Sequence, residues 1–181
     1  MTILTTPRLR LEPLTDAHFE GLHALNLDPE VMRYITGKPD TPEDTQMMID
    51  RVKARWAEWG YSWWAFIEIE TGELIGAGCI QHMGRDRALP HEIGWRLRRD
   101  RWGRGLASEA AQEMARFAFE DLGAPELQAV CMPDNAPSAK VMLRLGMHSQ
   151  GLGQWYDMEM AVYGMSRADW LALHPPGTPS A

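Results

Sequence analysis

One stretch in the middle of the chain, residues 91–111, constrains the fold more than any other. Residues 91–97 predict a β-strand and residues 107–122 predict a helix, so the residues between them form a strand-to-helix turn. Gly103 and Gly105 allow backbone N–H groups to come close to a phosphate, and the helix dipole adds partial positive charge there. Four arginines crowd the same turn, which is typical of a site for a multiply charged phosphate ligand: Arg98, Arg99, Arg101 and Arg104.

The turn matches neither of the two commonest phosphate-binding loops. It lacks the Gly-Lys-Ser/Thr end of a Walker loop, and Ser108 stands where a dinucleotide fingerprint would have its third glycine. Residues 102–107, Trp-Gly-Arg-Gly-Leu-Ala, instead resemble the acetyl-CoA pyrophosphate loop of the GNAT superfamily of N-acetyltransferases, although Trp102 replaces the usual Gln or Arg. The form Trp-Gly-x-Gly-x-Ala-x-Glu-Ala is typical of the RimJ/RimL-like branch. Taken alone, the turn also fits an ordinary strand–helix connection with a basic surface.

A second motif supports the same resemblance. Residues 135–147 follow a predicted strand and resemble the second signature of this branch, Asn-x-x-Ser, a helix and Gly-Phe, with Met147 in place of Phe. Three more segments match the branch, so the resemblance spans about residues 6–165: residues 6–11, 28–32 and 74–76.

The resemblance implies a mixed α/β GNAT fold with a central, mostly antiparallel sheet and flanking helices. A chain of 181 residues is long enough for one well-buried domain and short for two. We expect that domain over residues 1–170, followed by a flexible C-terminal tail over residues 171–181. The family fold implies that strands 91–97 and 127–132 are parallel and splayed, often with the help of a bulge. The amides of pantetheine can then bond to the free edge of the first strand.

The resemblance also implies acetyl-CoA as cosubstrate, without a metal. The pyrophosphate is expected on the N–H groups of about residues 101–107. Asn135 is expected to bond pantetheine or an ordered water, and it fits a helix cap equally well. The residues predicted to bind the cofactor are Trp95, Arg96, Leu97, Arg101, Trp102, Gly103, Arg104, Gly105, Leu106, Ala107 and Asn135.

Acetyl transfer to an amine requires a neutral amine, a stabilised oxyanion and a protonated leaving thiolate. A backbone N–H near residues 95–97 can serve the oxyanion. Glu92 is the first candidate for the base, since carboxylates in this strand often have that role in the superfamily and desolvation raises a glutamate pKa. The alternative for Glu92 is an exposed residue paired with an arginine. His91 is the rival base, although it should face the other side of the strand, and His82 is the third candidate.

The general acid is less defined by the sequence. Many GNAT enzymes use a tyrosine in the helix after the conserved asparagine, and here that position holds Met142. Ser138 lies one turn after Asn135 and is the candidate to bond the leaving sulfur, with an ordinary first-turn polar residue as the alternative. Tyr156 and Tyr163, on a predicted final hairpin, are further candidates.

The acceptor is expected between the helical segments 28–60 and the final hairpin. Aromatic side chains there supply flat walls, although a core position is the better prediction for any single one: Tyr34, Trp63, Trp95, Trp155 and Tyr156.

The charge distribution excludes a general nucleic-acid binder. The formal net charge is −7, but residues 91–105 contain five arginines against Glu92 and Asp100. A basic cofactor site and an acidic remainder suit an anionic cofactor and a cationic acceptor, and the acidity also fits simple solubility.

The sequence shows neither a membrane-spanning apolar run nor the apolar core of a secretory leader at the N-terminus. Cys79 and Cys131 are isolated, have no zinc-binding spacing, and predict reduced thiols in a cytoplasmic protein.

Taken together, the sequence predicts an enzyme that transfers acetyl from acetyl-CoA to a primary amine by direct transfer in a ternary complex. The N-terminal amine of a protein is one expected acceptor, and a small amine such as an antibiotic or an amino-acid derivative is the other. A CoA-binding sensor or interaction module without turnover is the alternative from another class. Dimers are common in the family, so a homodimer is also expected.

Overall fold

The computed structural model describes residues 1–175, which form one eight-stranded sheet with helices on both of its faces. The strand order is β1-β2-β3-β4-β5-β6-β8-β7. The strands are β1 (Leu4–Thr5), β2 (Leu9–Pro13), β3 (Trp63–Glu68), β4 (Leu74–His82), β5 (His91–Leu97), β6 (Glu126–Cys131), β7 (His148–Trp155) and β8 (Met158–Ser166). The helices are α1 (Phe19–Leu27), α2 (Pro29–Met32), α3 (Pro42–Trp59), α4 (Leu106–Arg116), α5 (Ala136–Leu145) and α6 (Arg167–Leu173).

The longest helix, α3, shows how local sequence sets the boundaries of these elements. The side chain of Thr41 accepts a hydrogen bond from the N–H of Asp44, and the Asp44 carboxylate accepts one from the N–H of Thr41. Pro42 occupies the first helical position, where no N–H is needed. Gly60 ends the helix in the left-handed region, at a φ of 81°.

The predicted mixed α/β fold with one parallel strand pair is confirmed. Every neighbouring pair in the sheet is antiparallel except β5 and β6. These two are in register only where His91 lies opposite Leu127 and Glu92 lies opposite Gln128. From there to Leu97 the edge of β5 that faces β6 lacks a strand partner. Strands β4 and β5 stay in continuous register, so the opening does not depend on a bulge between them.

Helices α3 and α4 cover opposite faces of the sheet. Arg55 of α3 bonds the side chain of Gln81 on β4, whereas a β-carbon built on Gly78 of the same strand would meet Met114 of α4. Successive side chains of a strand alternate between faces, so Gln81 and Gly78 point in opposite directions. Glu92 lies opposite Gln81 in the β4–β5 register and therefore belongs to the α3 face.

Helix α6 was not anticipated from the sequence. Trp170 on this helix is buried and stacks on Phe119, with ring centroids 5.4 Å apart. The tail predicted for residues 171–181 therefore begins inside α6, which ends at Leu173. Residues 176–181 lie outside the described residues, so for them the prediction is untested.

Both cysteines are buried and unpaired in the described part of the chain, Cys79 on β4 and Cys131 on β6. None of the helices within residues 1–175 is long and apolar enough to cross a membrane. The same residues contain no group of three or more His, Cys, Asp or Glu side chains that could hold a metal ion. A cytoplasmic location and a homodimer stay predictions from the sequence.

Candidate active site

Two connected cavities open where β5 and β6 separate. The first, which we call the α4 cavity, has a volume of about 370 Å³ and lies against the N-terminus of α4. The second, the Glu92 cavity, has a volume of about 510 Å³ and lies over the α3 face of β4 and β5. The two cavities meet, because five residues line both of them: Tyr34, Ile35, Trp95, Asn135 and Ser138.

The α4 cavity gathers all but one of the residues predicted to bind the cofactor. The exception is Arg104, whose backbone carbonyl accepts a hydrogen bond from Arg8 at 2.9 Å. The residues that line the cavity are Trp95, Arg96, Leu97, Arg101, Trp102, Gly103, Gly105, Leu106, Ala107 and Asn135.

The backbone before α4 offers a row of N–H donors. Gly103 and Gly105 both have left-handed φ values, 73° and 77°. Within residues 1–175, the N–H groups of residues 103–108 donate to no protein acceptor. The expected range of 101–107 is wrong at its start, because Arg101 and Trp102 already donate their N–H groups to backbone carbonyls. The remaining donors suit an anionic group at a helix N-terminus.

The arginines of the turn are less available than the sequence indicated. Arg98 bonds Asp100 at 2.7 Å and Glu73 at 2.9 Å, and Arg101 bonds Glu68 at 2.9 Å. Hydrogen bonds from Arg101 lower the pKa of the Glu68 carboxyl against the opposing effect of its burial. The charges of Arg98 and Arg101 are therefore largely offset by these carboxylates, which leaves less positive charge for a phosphate ligand than the four arginines of the turn indicate.

Two cations that the sequence analysis missed line the α4 cavity from α5. Lys140 and Arg144 lie four residues apart on one helix face. Neither forms an ion pair with a carboxylate among the described residues. The spacing was visible in the sequence, but only the fold shows that this face of α5 lines the cavity.

Glu92 lies inside the second cavity and is only 6% exposed. Its carboxylate accepts hydrogen bonds from the amide of Gln81 at 3.0 Å and from the hydroxyl of Tyr156. The carbonyl oxygen of Gln81 accepts in turn from Arg55 at 3.0 Å. Burial raises the pKa of Glu92, and the two hydrogen bonds act in the opposite direction. The alternative of an exposed glutamate paired with an arginine is therefore wrong.

A strained turn carries Tyr156 to this carboxylate. Tyr156 and Asp157 form the two-residue connection between β7 and β8, with φ values of 54° and 62°. The guanidinium of Arg85 lies 5.7 Å from the centroid of the Tyr156 ring, and the backbone of Arg85 has a φ of 65°. Within residues 1–175 these three are the residues other than glycine with positive φ, and such strain often clusters at functional sites. Burial, followed by the charge of Glu92, raises the pKa of Tyr156.

His91 and His82 lie on the opposite face of the sheet from Glu92. The Nδ1 atom of His82 lies 2.8 Å from the Leu89 carbonyl and donates to it, and in the neutral ring its Nε2 then accepts from the hydroxyl of Tyr61 at 2.9 Å. The Tyr61 oxygen then accepts from Nε2 of His91 at 3.0 Å. Burial and the neighbouring His82 lower the pKa of His91 to about 4. Neither histidine lines the α4 cavity or the Glu92 cavity, which weakens both as candidate bases.

Asn135 caps a helix beside the cavities, and Ser138 is the residue that it caps. The side-chain oxygen of Asn135 accepts a hydrogen bond from the N–H of Ser138 at 3.3 Å, which caps α5. Both residues also line both cavities, so the cap leaves them beside the junction. Met142 lines the Glu92 cavity, whereas Tyr163 lines neither.

The walls of the Glu92 cavity are largely apolar. Four of the five predicted aromatic side chains line it, and Trp155 does not. Five sulfur-containing residues also line it, and their place here was not evident from the sequence. The aromatic residues are Tyr34, Trp63, Trp95 and Tyr156, and the sulfur-containing residues are Cys79, Cys131, Met142, Met158 and Met160.

Comparison with known proteins identifies this chain as similar to acetyltransferases. Residues 8–148 match the family model described as an acetyltransferase (GNAT) domain. The FsC-acetyl coenzyme A-N(2)-transacetylase of Aspergillus fumigatus is 31% identical over 189 residues, which covers 96% of this chain and 80% of that protein.

Solved structures share the fold. An acetyltransferase from Agrobacterium tumefaciens is 32% identical and superposes with a TM-score of 0.79, covering 91% of this chain and 94% of the other. The ribosomal L7/L12 alpha-N-protein acetyltransferase RimL, solved in complex with coenzyme A, has a TM-score of 0.77 at 16% identity. That comparison covers 91% of this chain and 98% of RimL, and at this identity it shows the fold alone.

Proposed function

The chain belongs to the GNAT acetyltransferases, which are acetyl-CoA-dependent enzymes, and on that premise we propose that it acetylates a primary amine bound in the Glu92 cavity. The observation that carries this proposal is the junction of the two cavities. One cavity has the donors for an anionic cofactor, and the other holds a buried carboxylate. An acetyl group at the junction would lie between them, so both partners of a direct transfer can be bound at once.

The residues of the α4 cavity fit acetyl-CoA, which supplies the acetyl thioester when it is bound. Free N–H groups at residues 103–108 suit its diphosphate, and Lys140 and Arg144 add positive charge. The unpaired edge of β5 suits the pantetheine amides. Backbone N–H groups on that edge, around residues 95–97, are the proposed donors to the thioester oxygen as negative charge develops there.

Glu92 is the proposed base. Its buried carboxylate has a raised pKa, which brings its basicity closer to that of a group able to accept a proton near neutral pH. The amine loses its proton to Glu92, directly or through one water, as its nitrogen bonds to the acetyl carbon. The bond from that carbon to sulfur then breaks, and the thiolate needs a proton.

Tyr156 is the proposed acid, with Ser138 as the alternative. The hydroxyl of Tyr156 already donates a hydrogen bond to Glu92. The negative charge of Glu92 raises the pKa of Tyr156 and so makes Tyr156 a weak acid. Once Glu92 has accepted the proton of the amine, that charge is gone. Tyr156 can then give its proton to the thiolate and recover one from Glu92, so the proton of the amine reaches sulfur and both side chains return to their starting states.

Two classes of acceptor are candidates, the N-terminal amine of a protein and a small amine. Membership of the RimJ/RimL-like branch, which the two sequence signatures support, favours the N-terminal amine of a protein. The Glu92 cavity itself favours a small amine, because a volume of about 510 Å³ is typical of a small-molecule site. The hydrogen-bonded pair of Glu92 and Tyr156 argues for turnover against a sensor without activity.

Release of the CoA thiol from acetyl-CoA tests the proposal, measured over matched panels of small amines and peptides. We expect amine-dependent release with at least one panel, and the class that reacts identifies the acceptor. Tight binding of acetyl-CoA without amine-dependent thiol release across both panels would support the sensor instead.

A further inference from the structure

Three arginines lack carboxylate partners within residues 1–175, although the chain as a whole is acidic: Arg85 lines the Glu92 cavity, Arg55 bonds Gln81 in its lining, and Arg51 lies one helical turn before Arg55. Arg51 and Arg55 lie on α3, and Arg85 follows β4; we call these three the arginine rim. Within residues 1–175, none of them forms an ion pair with a carboxylate within 4 Å, unlike Arg98 and Arg101. The rim is therefore positive charge without a paired carboxylate on the acceptor side of the site.

Arg85 connects the rim to the cavity. It lines the Glu92 cavity, and its positive charge lowers the pKa of the Glu92 carboxyl against the effect of burial. Its backbone is held in the left-handed region, directly after Gly84 at a φ of 58°. Such a conformation is unfavourable for a residue with a side chain, so the fold maintains this position of Arg85 against a local cost.

The positive charges of the rim raise the free energy of the folded protein when no negative group lies against them. Arg55 is buried, and its guanidinium has the neutral carbonyl of Gln81 as its hydrogen-bond acceptor. Burial first, and then the charge of Arg85, lowers the pKa of both Arg51 and Arg55, against the smaller opposing effects of Asp40 on Arg51 and of Glu92 on Arg55. Glu92 supplies a negative charge nearby, but it loses that charge when it accepts the proton of the amine. The rim would repel a positively charged acceptor with no negative group, most strongly once Glu92 is neutral.

We propose that the arginine rim binds a carboxylate carried by the acceptor, so that the substrate is an amine with its own carboxylate group. This inference rests on the proposed function and narrows it. The carboxylate can belong to a free amino acid or to an acidic residue near the N-terminus of a peptide. Arg85 positions it, and Arg51 and Arg55 contribute charge. A structural role in which Arg85 only supports the Tyr156 ring predicts no dependence on acceptor charge.

Matched acceptor pairs test the inference. The probes are L-amino acids against their C-terminal amides, and peptides with Asp against Asn at the second position. We expect kcat/KM to be at least about tenfold higher for the carboxylate member of one pair type, mainly through KM. Arg85→Gln should reduce this ratio to near one. Arg87→Gln is the matched control and should retain the ratio, because Arg87 faces Glu58 at 3.5 Å and does not line the cavity.

A second measurement separates this inference from the proposed function. Calorimetry measures binding of N-acetyl amino acids and of their amides to the protein in the presence of CoA, without turnover. A carboxylate preference that disappears in Arg85→Gln supports the inference even if no amine of the panel is acetylated. Equal acetylation and equal binding of charged and neutral members overturn it and leave the acetyltransferase function intact. A preference that survives Arg85→Gln also overturns it.

Discussion

The hydroxyl of Tyr156 donates a hydrogen bond to the carboxylate of Glu92, a residue 64 positions earlier in the chain. The bond joins the β7–β8 turn to β5 across the Glu92 cavity. Each partner affects the pKa of the other: the bond lowers that of Glu92, and the charge of Glu92 raises that of Tyr156. The two groups therefore titrate as a coupled pair, and a change in one alters the pH dependence of the other.

Tyr156→Phe removes the hydroxyl and keeps the ring beside Arg85. We expect kcat to fall by about 10- to 100-fold, because the proton relay to the thiolate is lost. The low-pH limb of the rate profile should move to higher pH, since the bond that lowers the pKa of Glu92 is gone. Steady-state rates of thiol release across pH measure both effects.

Tyr163→Phe is the control for this change. Tyr163 lies on β8, is partly buried against the core and lines neither cavity. Its variant should keep both the rate and the profile. A Tyr156→Phe enzyme with unchanged kcat and an unchanged low-pH limb would remove Tyr156 from the mechanism and leave Ser138 as the candidate acid.

Glu92→Gln tests the base, because it keeps the size of the side chain and removes its basicity. Turnover should fall by on the order of 100-fold or more, with acetyl-CoA binding nearly intact. His91→Gln should have a much smaller effect, because His91 lies on the other face of the sheet and bonds Tyr61. Loss of turnover in His91→Gln, with a nearly silent Glu92→Gln, would reverse the assignment.

Gly105→Glu tests the proposed diphosphate site. Gly105 has a φ of 77° and immediately precedes α4, so the substitution adds backbone strain and a negative charge beside the N–H donors. We expect a marked loss of affinity for CoA, measured by calorimetry. Gly123→Glu is a matched control, with a similar φ of 68°, open space around its β-carbon position and a place after α4. If the folded Gly105→Glu protein kept its CoA affinity, the site would have to lie elsewhere.

The strand and the turn that form the α4 cavity could be predicted from short continuous segments of the sequence. Residues 91–97 and the glycines before α4 identified the strand and the turn. Both signatures lie in continuous segments, so the lining of the α4 cavity was largely predictable. The alternation of strand side chains also placed His91 and Glu92 on opposite faces, as the register shows.

The rest of the site depends on contacts between distant segments. Tyr156 reaches Glu92 only because β8 of the predicted hairpin pairs with β6, a long-range pairing that no local pattern encodes. The turn at Tyr156 and Asp157 lacks the Asn-Gly sequence that favours such a turn, so its geometry was not recognisable. The arginine count of the phosphate turn and the presence of Asp100 in it were visible, but two further carboxylates that offset the arginines come from outside the turn: Glu68 and Glu73.

The cations of α5 should give CoA binding its salt dependence. A Lys140→Gln/Arg144→Gln variant should bind CoA about tenfold more weakly at low ionic strength, and the difference should shrink as salt is added. Arg98→Gln is the control and should have a smaller effect, because Arg98 is bound by Asp100 and Glu73 and lies outside the cavity lining. Equal salt dependence in the wild type and the double variant would exclude these two cations from the phosphate contacts.

His91 should make the fold sensitive to acid independently of the active site. Tyr61 and His82 face its ring, and burial together with His82 lowers its pKa from 6.5 to about 4. Between these two pH values the unfolded chain binds more protons than the native one, so the free energy of unfolding should fall as the pH falls from 6.5 to 4. Denaturant titrations over this range should show a smaller loss for His91→Gln, whose amide can still donate to Tyr61. The exposed His148→Gln should match the wild type. An unchanged slope in His91→Gln would show that the acid sensitivity arises from other groups.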